Sequence, residues 1–250
     1  RSLLIRAVGP RLGDFGVSGF LVDPTLELVR NGGSTTTVAT SDDWWSQSDA
    51  AEIARVATEV GAFPLDGREA GGTLDTQSAA VLVDLAAGSY TALCRGKGNE
   101  TGVALVEIYD LGDPDAARLI NLSNRGWVGR SDQVMVPGFV VSGTVNRSYL
   151  IRAAGPALGA FGVEGTLIDP QIEVRSAPGE SVAINDDWDD DLASAQTLES
   201  AFAQVGAFGF SAGAKDAATL VNLSPGAYTV LCRGADEGTG VALVEIYEMP

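Results

Sequence analysis

The chain has 250 residues, enough for two domains that each bury a core, and it is strongly acidic, with a formal net charge of −17 and no histidine. Nucleic acids and anionic membrane surfaces are themselves negative, so this charge disfavours both as partners. No stretch approaches about 18 uninterrupted apolar residues, so we predict no membrane insertion, and we expect no signal peptide in this sequence. The 31 glycines and the 45% of hydrophobic residues indicate a turn-rich, all-β protein.

Two copies of one sequence module account for most of the chain. Residues 1–17 and 147–163 agree at 13 of 17 positions, and residues 101–109 and 239–247 both read TGVALVEIY. Internal repetition of this kind is typical of arrays and assemblies rather than of a lone catalytic domain.

Each copy begins with an apolar run that ends at Gly-Pro, which predicts a strand followed by a turn. Asp-Pro pairs, Asp23-Pro24 and Asp169-Pro170, mark a second turn. Apolar and polar residues alternate in the segment that follows, so a half-buried strand is predicted there. A polar hairpin and a further strand then lead to an acidic segment.

After the acidic segment the apolar period becomes helical, with spacings i, i+3, i+4 and i+7 in the first copy and a looser pattern in the second. Gly61 and Gly206 predict the ends of these helices, because glycine adopts the left-handed conformation of a C-terminal cap without strain. The first-copy positions are Ile53, Val56, Ala57 and Val60. We therefore predict one short helix per copy.

Each copy closes with strand segments, and the last of them, Val103–Tyr109 or Val241–Tyr247, is apolar on both faces. This pattern predicts a central strand rather than an edge strand. Cys94 and Cys232 occupy matched positions in the preceding strand and are predicted to point inward. Matched positions in two domains lie far apart, so we expect buried free thiols rather than a disulfide, with a reactive or ligating role as the alternative.

The second copy is preceded by residues 111–146, which have no counterpart before the first copy. Two strand candidates, Arg118–Leu122 and Val134–Val141, flank a glycine-rich loop, and the segment is too apolar for a free linker. We predict a first domain at 1–110 that lacks its leading strands and a second at 111–250 that has them. The fold class is all-β: two tandem β-sandwich, jelly-roll-like domains, each with one short helix.

The acidic segments are the only clusters with the density of metal ligands. One reads Ser41-Asp42-Asp43-Trp44, and the other reads Asn185-Asp186-Asp187-Trp188 followed by three more aspartates. Calcium prefers six to eight oxygen ligands and accepts irregular loops. Capping of the following helix by the same side chains is the competing interpretation. The candidate calcium ligands are Asn185, Asp186, Asp187, Asp189, Asp42 and Asp43.

Charged residues also lie within apolar strands, where each needs a partner. Arg6 and Arg152 are matched across the copies, as are Glu107 and Glu245, so we predict an Arg–Glu pair within each module. Enzyme templates fit poorly, because the chain has no histidine for a catalytic triad or a zinc site and no glycine-rich nucleotide-binding spacing. We expect no catalytic residues; paired carboxylates for glycoside hydrolysis are the weak alternative.

The pattern DPxLEL, NDDW, (P/A)GxYT and TGVALVEIY extends over essentially the whole chain. It resembles a repeat of large secreted and cell-surface proteins of environmental bacteria, and it is similar to the bacterial pre-peptidase C-terminal type of β-sandwich. The resemblance implies an extracellular unit for spacing, adhesion or assembly, and several such sandwiches bind calcium at acidic turns. It also implies that a full repeat begins with a segment like Arg118–Gly143, which the first copy lacks. Ser41 replaces the usual Asn, which weakens a metal site there.

Two functions follow as expectations. The first is a non-catalytic extracellular or cell-surface module that assembles with itself into a filament, stalk or surface array. Strand donation between subunits is one route, because a sandwich without two strands exposes unpaired edges; the other possibility is that those strands lie upstream in the same polypeptide. The second is a calcium-dependent carbohydrate-binding or adhesion module appended to a secreted protein. In that case the polysaccharide partner would stack on Trp44 and Trp188, which are otherwise predicted to be core residues.

Overall fold

The computed structural model describes residues 1–65, 74–112, 119–131 and 133–250. The chain divides into two compact units, which we call unit 1 (Arg1–Arg118) and unit 2 (Leu119–Pro250). The described residues of each unit form two antiparallel sheets and one α-helix, so the prediction of two all-β sandwich domains with a short helix is confirmed. None of the helices in the described part of the chain has the length and hydropathy needed to span a membrane.

The described part of unit 1 contains six strands. One sheet has the strand order β4-β1-β6, and the other has the order β3-β2-β5. The elements are β1 (Ser2–Val8), β2 (Pro24–Arg30), β3 (Thr36–Ser41), α1 (Ala50–Glu59), β4 (Ala79–Asp84), β5 (Tyr90–Gly96) and β6 (Leu105–Asp110).

The described part of unit 2 contains eight strands. One sheet has the order β12-β9-β14-β7, and the other has the order β11-β10-β13-β8. The elements are β7 (Asn121–Val128), β8 (Gly138–Val141), β9 (Arg147–Ala154), β10 (Pro170–Ser176), β11 (Ser181–Asn185), α2 (Leu192–Val205), β12 (Ala217–Leu223), β13 (Gly226–Gly234) and β14 (Gly240–Glu248).

The strand order of unit 2 is that of an eight-stranded jelly roll. Its first strand, β7, pairs with its last, β14, and its second, β8, pairs with its seventh, β13. This nesting of early strands against late ones is the double Greek key of that fold. Among its described residues, unit 1 has the same strand order without counterparts of β7 and β8.

The central strands explain why the first apolar run of each copy does not alternate with polar residues. Leu150 and Ile151 are both fully buried, because β9 has the sandwich interior on one face and α2 on the other. Ile151 packs in the interior, and Leu150 packs against the helix. In unit 1, Leu4 likewise packs against the helix and Ile5 packs in the sandwich interior. Strands that are covered on both faces read as continuous apolar runs.

The leading segment of unit 2 differs from its prediction. The sequence predicted strands at Arg118–Leu122 and Val134–Val141 with a glycine-rich loop between them, but most of that loop is β7, and Arg118 lies outside the described residues. The glycine-rich stretch forms a strand by antiparallel pairing with β14, and Gly126 lies opposite Ala242. A Cβ at Gly126 would lie 3.5 Å from the Cε atom of Met135, which is an ordinary van der Waals contact. The position therefore tolerates the extended backbone of a strand, and it is not a turn.

The last strand of each copy was predicted to be central. This is right for β14, which lies between β9 and β7, but wrong for β6, which is an edge strand among the described residues of unit 1. The two strands belong to segments of identical sequence, so their own residues carry no information about this difference. Whether the last strand is central or at the edge depends on whether a leading strand pairs with it.

Candidate functional site: an open sheet edge and two acidic clusters

Within the described residues, unit 1 has an open edge in both of its sheets. In unit 2, β7 covers β14 and β8 covers β13. The corresponding edges of unit 1, β6 and β5, have no pairing strand among the described residues. Because both edges correspond to the same side of the unit 2 sandwich, the interior of unit 1 is uncovered on that side. We call β5 and β6 together the open edge.

Side chains that are core residues in unit 2 are exposed at the open edge. Val244 and Ile246 of β14 are 0% and 3% exposed, whereas the matched Val106 and Ile108 of β6 are 40% and 37% exposed. An exposed, unpaired edge of a sheet is a template for pairing with another chain. The open edge therefore has both the backbone groups and the apolar surface that a strand would cover.

The leading strands of unit 2 close its interior with apolar side chains. Val128, Met135 and Val141 are all buried there, at 0%, 6% and 2% exposure. The ring of Phe139 stacks on Tyr228, with 5.7 Å between the ring centroids. No described residue of unit 1 takes these places, and the tyrosine matched to Tyr228 is only half-buried.

The two matched cysteines also differ in burial between the units. Cys232 is fully buried, and its backbone exchanges two hydrogen bonds with Met135, at 3.1 and 2.8 Å. Cys94 is a half-buried free thiol on the open edge. Burial raises the pKa of Cys232 to about 12 and also raises the pKa of Cys94. Both thiols are therefore protonated near neutral pH, which does not favour a role as a nucleophile.

Three aspartates converge in each unit, with one carboxylate oxygen of each lying within 4.8 Å of the others. Each cluster joins the Asp of an Asp-Pro pair to the two aspartates of the acidic segment. Antiparallel pairing of β2 with β3, and of β10 with β11, brings them together, because the start of one strand lies beside the end of the other. We call these the acidic clusters: Asp23, Asp42 and Asp43 in unit 1, and Asp169, Asp186 and Asp187 in unit 2.

The sequence identified four members of these clusters as candidate ligands and missed two. Asp23 and Asp169 were interpreted only as turn residues, since Asp-Pro is a common turn signal. Their recurrence in both copies was a usable signal. Two antiparallel strands joined by a short hairpin must bring an Asp before the first close to an Asp after the second.

Asn185, also a predicted ligand, has a structural role. Its Oδ1 accepts a hydrogen bond from the Ala218 N–H at 2.8 Å, and its Nδ2 donates to the Asp187 carbonyl at 3.1 Å. Ser41 takes over the first contact in unit 1, where its Oγ accepts from the Ala80 N–H at 3.0 Å. The Ser-for-Asn difference therefore preserves a link between two strands.

The remaining aspartates of the second acidic segment organise the entry to the helix. The Oδ2 atom of Asp189, another predicted ligand, accepts a hydrogen bond from the Gly213 N–H at 2.6 Å. Asp191 caps α2 by accepting hydrogen bonds from the Ser194 hydroxyl at 2.7 Å and from the Ser194 N–H at 2.9 Å, which together lower the pKa of the Asp191 carboxyl. Asp49, at the same place before α1, makes no such side-chain bond. Helix capping thus accounts for Asp191 but not for the clustered aspartates.

The only two lysines of the chain both lie at the acidic clusters. Lys97 places its Nζ 2.7 Å from Asp42 and 3.5 Å from Asp23. Lys215, from a different loop of the repeat, forms an ion pair with Asp187. These carboxylates raise the pKa of both ammonium groups. Three carboxylates and one ammonium leave each cluster with a formal charge of −2.

Several cluster oxygens are buried without a partner. The Oδ1 atoms of Asp23, Asp169, Asp186 and Asp187 are shielded from solvent and make no hydrogen bond. Desolvation, together with the charges of Asp186 and Asp187, raises the pKa of Asp169. Buried polar atoms are normally satisfied. Hard oxygen donors, residual charge −2 and unpaired oxygens fit a divalent cation of the calcium type.

The matched tryptophans are core residues. Trp44 and Trp188 are 1% and 2% exposed, so the prediction of a core role is confirmed and a sugar-stacking surface at these positions is wrong. They are buried because α1 and α2 pack over them. Trp45 and Trp127 are exposed, but they occupy unrelated positions in the two units.

The predicted Arg–Glu pairs are present in both units. Arg6 Nε donates to Glu107 at 2.8 Å, and Arg152 Nε donates to Glu245 at 2.9 Å. The tyrosine two residues after each glutamate donates to its other oxygen, at 2.7 and 2.6 Å. Each glutamate is thus held on both oxygens, which is a structural arrangement that satisfies buried charge.

Two solved structures are distantly similar to this chain. The pre-peptidase C-terminal domain of a Bacillus anthracis collagenase matches with a TM-score of 0.32 and 14% identity, over 51% of this chain and 89% of that one. The infectious bursal disease virus VP2 subviral particle matches with a TM-score of 0.19 and 9% identity, over 99% of this chain and 56% of that one. No family model and no curated protein matches the chain.

These TM-scores are low, so the assignment of class rests on strand order and pairing within the chain itself. By that criterion the chain is a tandem pair of β-sandwich modules. Unit 2 is a complete jelly roll, and unit 1 is the same fold without its first two strands among the described residues.

Proposed function

We propose that the chain is a non-catalytic structural module of an extracellular or cell-surface protein, and that it assembles into a filament, stalk or array through the open edge of unit 1. One observation carries this proposal: two adjacent sheet edges are uncovered, and core-type side chains are exposed between them. Resemblance of the sequence pattern to repeats of secreted bacterial proteins supports the location.

The strand β6 lacks the usual protection against pairing. Natural edge strands are blunted by lysine, proline or inward-pointing charge. The sequence of β6 is LVEIYD, and its glutamate is engaged by Arg6. Full burial of a valine or isoleucine side chain contributes roughly 1.5–3 kcal/mol, so covering the exposed 40% of Val106 and 37% of Ile108 favours association by up to about half of that amount for each residue.

The test measures the association state of residues 1–250 by sedimentation and electron microscopy over a range of protein concentrations. We expect association that Ile108→Lys abolishes, because a charge would then lie in the apolar seam. Ile184→Lys is the matched control, since Ile184 is 66% exposed on the edge strand β11 of unit 2. Dispersed monomers at every concentration, or equal effects of both variants, would contradict assembly through the open edge.

A second candidate function is calcium binding at the acidic clusters, favoured by their unpaired buried oxygens. Calcium would bridge the start of one strand and the end of its neighbour and so stabilise each module. A carbohydrate role built on Trp44 and Trp188 has no support, because both side chains are buried.

Calcium binding is tested by thermal unfolding with and without the ion. At a concentration 100 times Kd, calcium should stabilise a binding unit by about 2.7 kcal/mol. Asp169→Asn should remove the effect in unit 2, whereas Asp190→Asn, outside the cluster, should not. Equal unfolding curves with calcium and with a chelator would refute the site and leave one lysine per cluster as the counter-charge.

The stability of unit 2 should depend on pH in a direction that follows from the pKa of Asp169. The raised pKa of Asp169 means that its ionisation opposes folding, so without calcium this group costs unit 2 stability as pH rises from the ordinary 3.8 through the raised value. Calcium needs the ionised form. Its stabilising effect should therefore be largest near neutral pH and shrink as the pH falls through the raised pKa of Asp169.

A further inference from the structure

We propose that the occupant of the open edge is a pair of linked strands that repeats the residue pattern of β7 and β8 and is contributed by another module of the same repeat class. Its two strands would pair with different sheets, as β7 and β8 do in unit 2. This rests on the proposed function, because it names the partner of the same edge. Two observations support it: the two acceptor surfaces are nearly identical, and the described residues contain too few leading strands to cover both.

The acceptor strands of the two units are almost the same in sequence. The segments that contain β6 and β14 both read TGVALVEIY, and β5 matches the end of β13 except that Ala92 replaces Val230. The surface that β7 and β8 cover in unit 2 is therefore reproduced in unit 1. A strand pair that fits one acceptor meets the same side chains at the other.

The register of the expected strand pair can be copied from unit 2. Ile246 pairs with Leu122, Tyr228 with Phe139, and Cys232 with Met135. In unit 1 the three receiving positions are Ile108, Tyr90 and Cys94, all of which are at least partly exposed. The occupant should therefore present a leucine-like, an aromatic and a methionine-like side chain at these places, on two antiparallel edges.

A second copy of residues 1–250 does not supply such a strand pair by exchange. The described residues contain two acceptors but one pair of leading strands, and that pair is already seated in unit 2. Moving it to unit 1 of another copy would cover one interior and uncover another, with no net gain in buried apolar surface. A further strand pair is needed to close both sandwiches, so we assign the occupant to another module; the association expected of the chain alone is edge-to-edge pairing of open edges.

The test uses a synthetic peptide with the sequence of residues 119–146, added to the intact chain. We expect one peptide bound per chain, measured by fluorescence anisotropy of a labelled peptide. A control peptide with Val128→Asp and Val141→Asp, whose side chains are both buried in unit 2, should bind at least tenfold more weakly. The chain variant Ile108→Lys should also lose binding, after circular dichroism has shown that it is folded.

Cys94 supplies an independent readout on the native chain. Without peptide, a thiol reagent should modify Cys94 well before Cys232, as resolved by mass spectrometry of digested protein. Bound peptide should slow modification of Cys94 at least tenfold, because a residue of the Met135 type would lie directly across from it. Absence of binding and of protection up to about 1 mM peptide would overturn the proposal.

The two proposals fail in different ways. If the chain associates and the peptide neither binds nor disperses the assemblies, the occupant is not a strand pair of this type, and edge-to-edge pairing of two copies is the better account. If the peptide binds with Cys94 protection while the chain alone stays monomeric, the strand-pair proposal stands and self-assembly of this chain fails.

Discussion

Units 1 and 2 contain strands of identical sequence in different surroundings. Val106 and Val244 occupy the same place in TGVALVEIY, yet the first is 40% exposed and the second is fully buried. The apolar character of a strand shows how much surface it can bury. Whether that surface is buried depends on the strands that pair beside it.

The acidic clusters show the opposite behaviour. Here the local sequences differ, with Ser41 in place of Asn185 and a lysine from a different loop, but both units bring three carboxylates and one ammonium together. Antiparallel pairing of two neighbouring strands is enough to create this arrangement, and it does not require the leading strands. The open edge is therefore specific to unit 1, whereas the clusters belong to the module.

The largest expected loss of stability comes from breaking the Arg–Glu pairs, and it should be the same in both units. Glu245→Gln leaves the buried Arg152 without its counter-charge and should cost unit 2 about 3–5 kcal/mol. Glu107→Gln should cost unit 1 a similar amount, since Arg6 is equally buried. Chemical denaturation with unit-specific probes measures both. A much smaller loss in unit 1 would show that the open edge loosens its whole interior.

Truncating a matched isoleucine of the last strand should cause a smaller loss of stability, and this loss should differ between the two units. Ile246→Ala creates a cavity in a closed core and should cost unit 2 about 3 kcal/mol. Ile108→Ala should cost unit 1 roughly half as much, because over a third of that side chain is already exposed. The same denaturation experiment, in dilute solution where the chain is monomeric, tests the ratio. Equal losses would mean that the open edge is covered in solution.

The smallest expected loss of stability comes from replacing the aspartates that precede the two helices. Asp191→Ala removes the capping bond to Ser194 and should lower the melting temperature of unit 2 by a few degrees. Asp49→Ala should leave unit 1 nearly unchanged, because Asp49 makes no capping bond. The lowered pKa of Asp191 means that its contribution exists at neutral pH and is lost as the pH falls through that lowered value. The difference between the two variants should therefore vanish in acid.

Much of the fold could be predicted because the physical signals are local. Alternation predicted the strands, a helical period predicted α1 and α2, and Gly61 and Gly206 have the left-handed φ values, 73° and 71°, expected after a helix. The Arg–Glu pairs were predictable because a charge in an apolar strand must find its partner nearby. The acidic clusters were only half predictable, since Asp23 and Asp169 join them across a strand pair.

The sequence by itself determined the repeated module, its strands and helix, and the buried Arg–Glu pairs, because these depend on residue periodicity and on the cost of isolated charge. Only the tertiary structure decided which strands are edges, which glycine-rich stretch is β7, and which aspartates share a cluster. Those features depend on pairing between segments far apart in the chain. Identical segments such as those of β6 and β14 cannot encode a difference that lies in their neighbours.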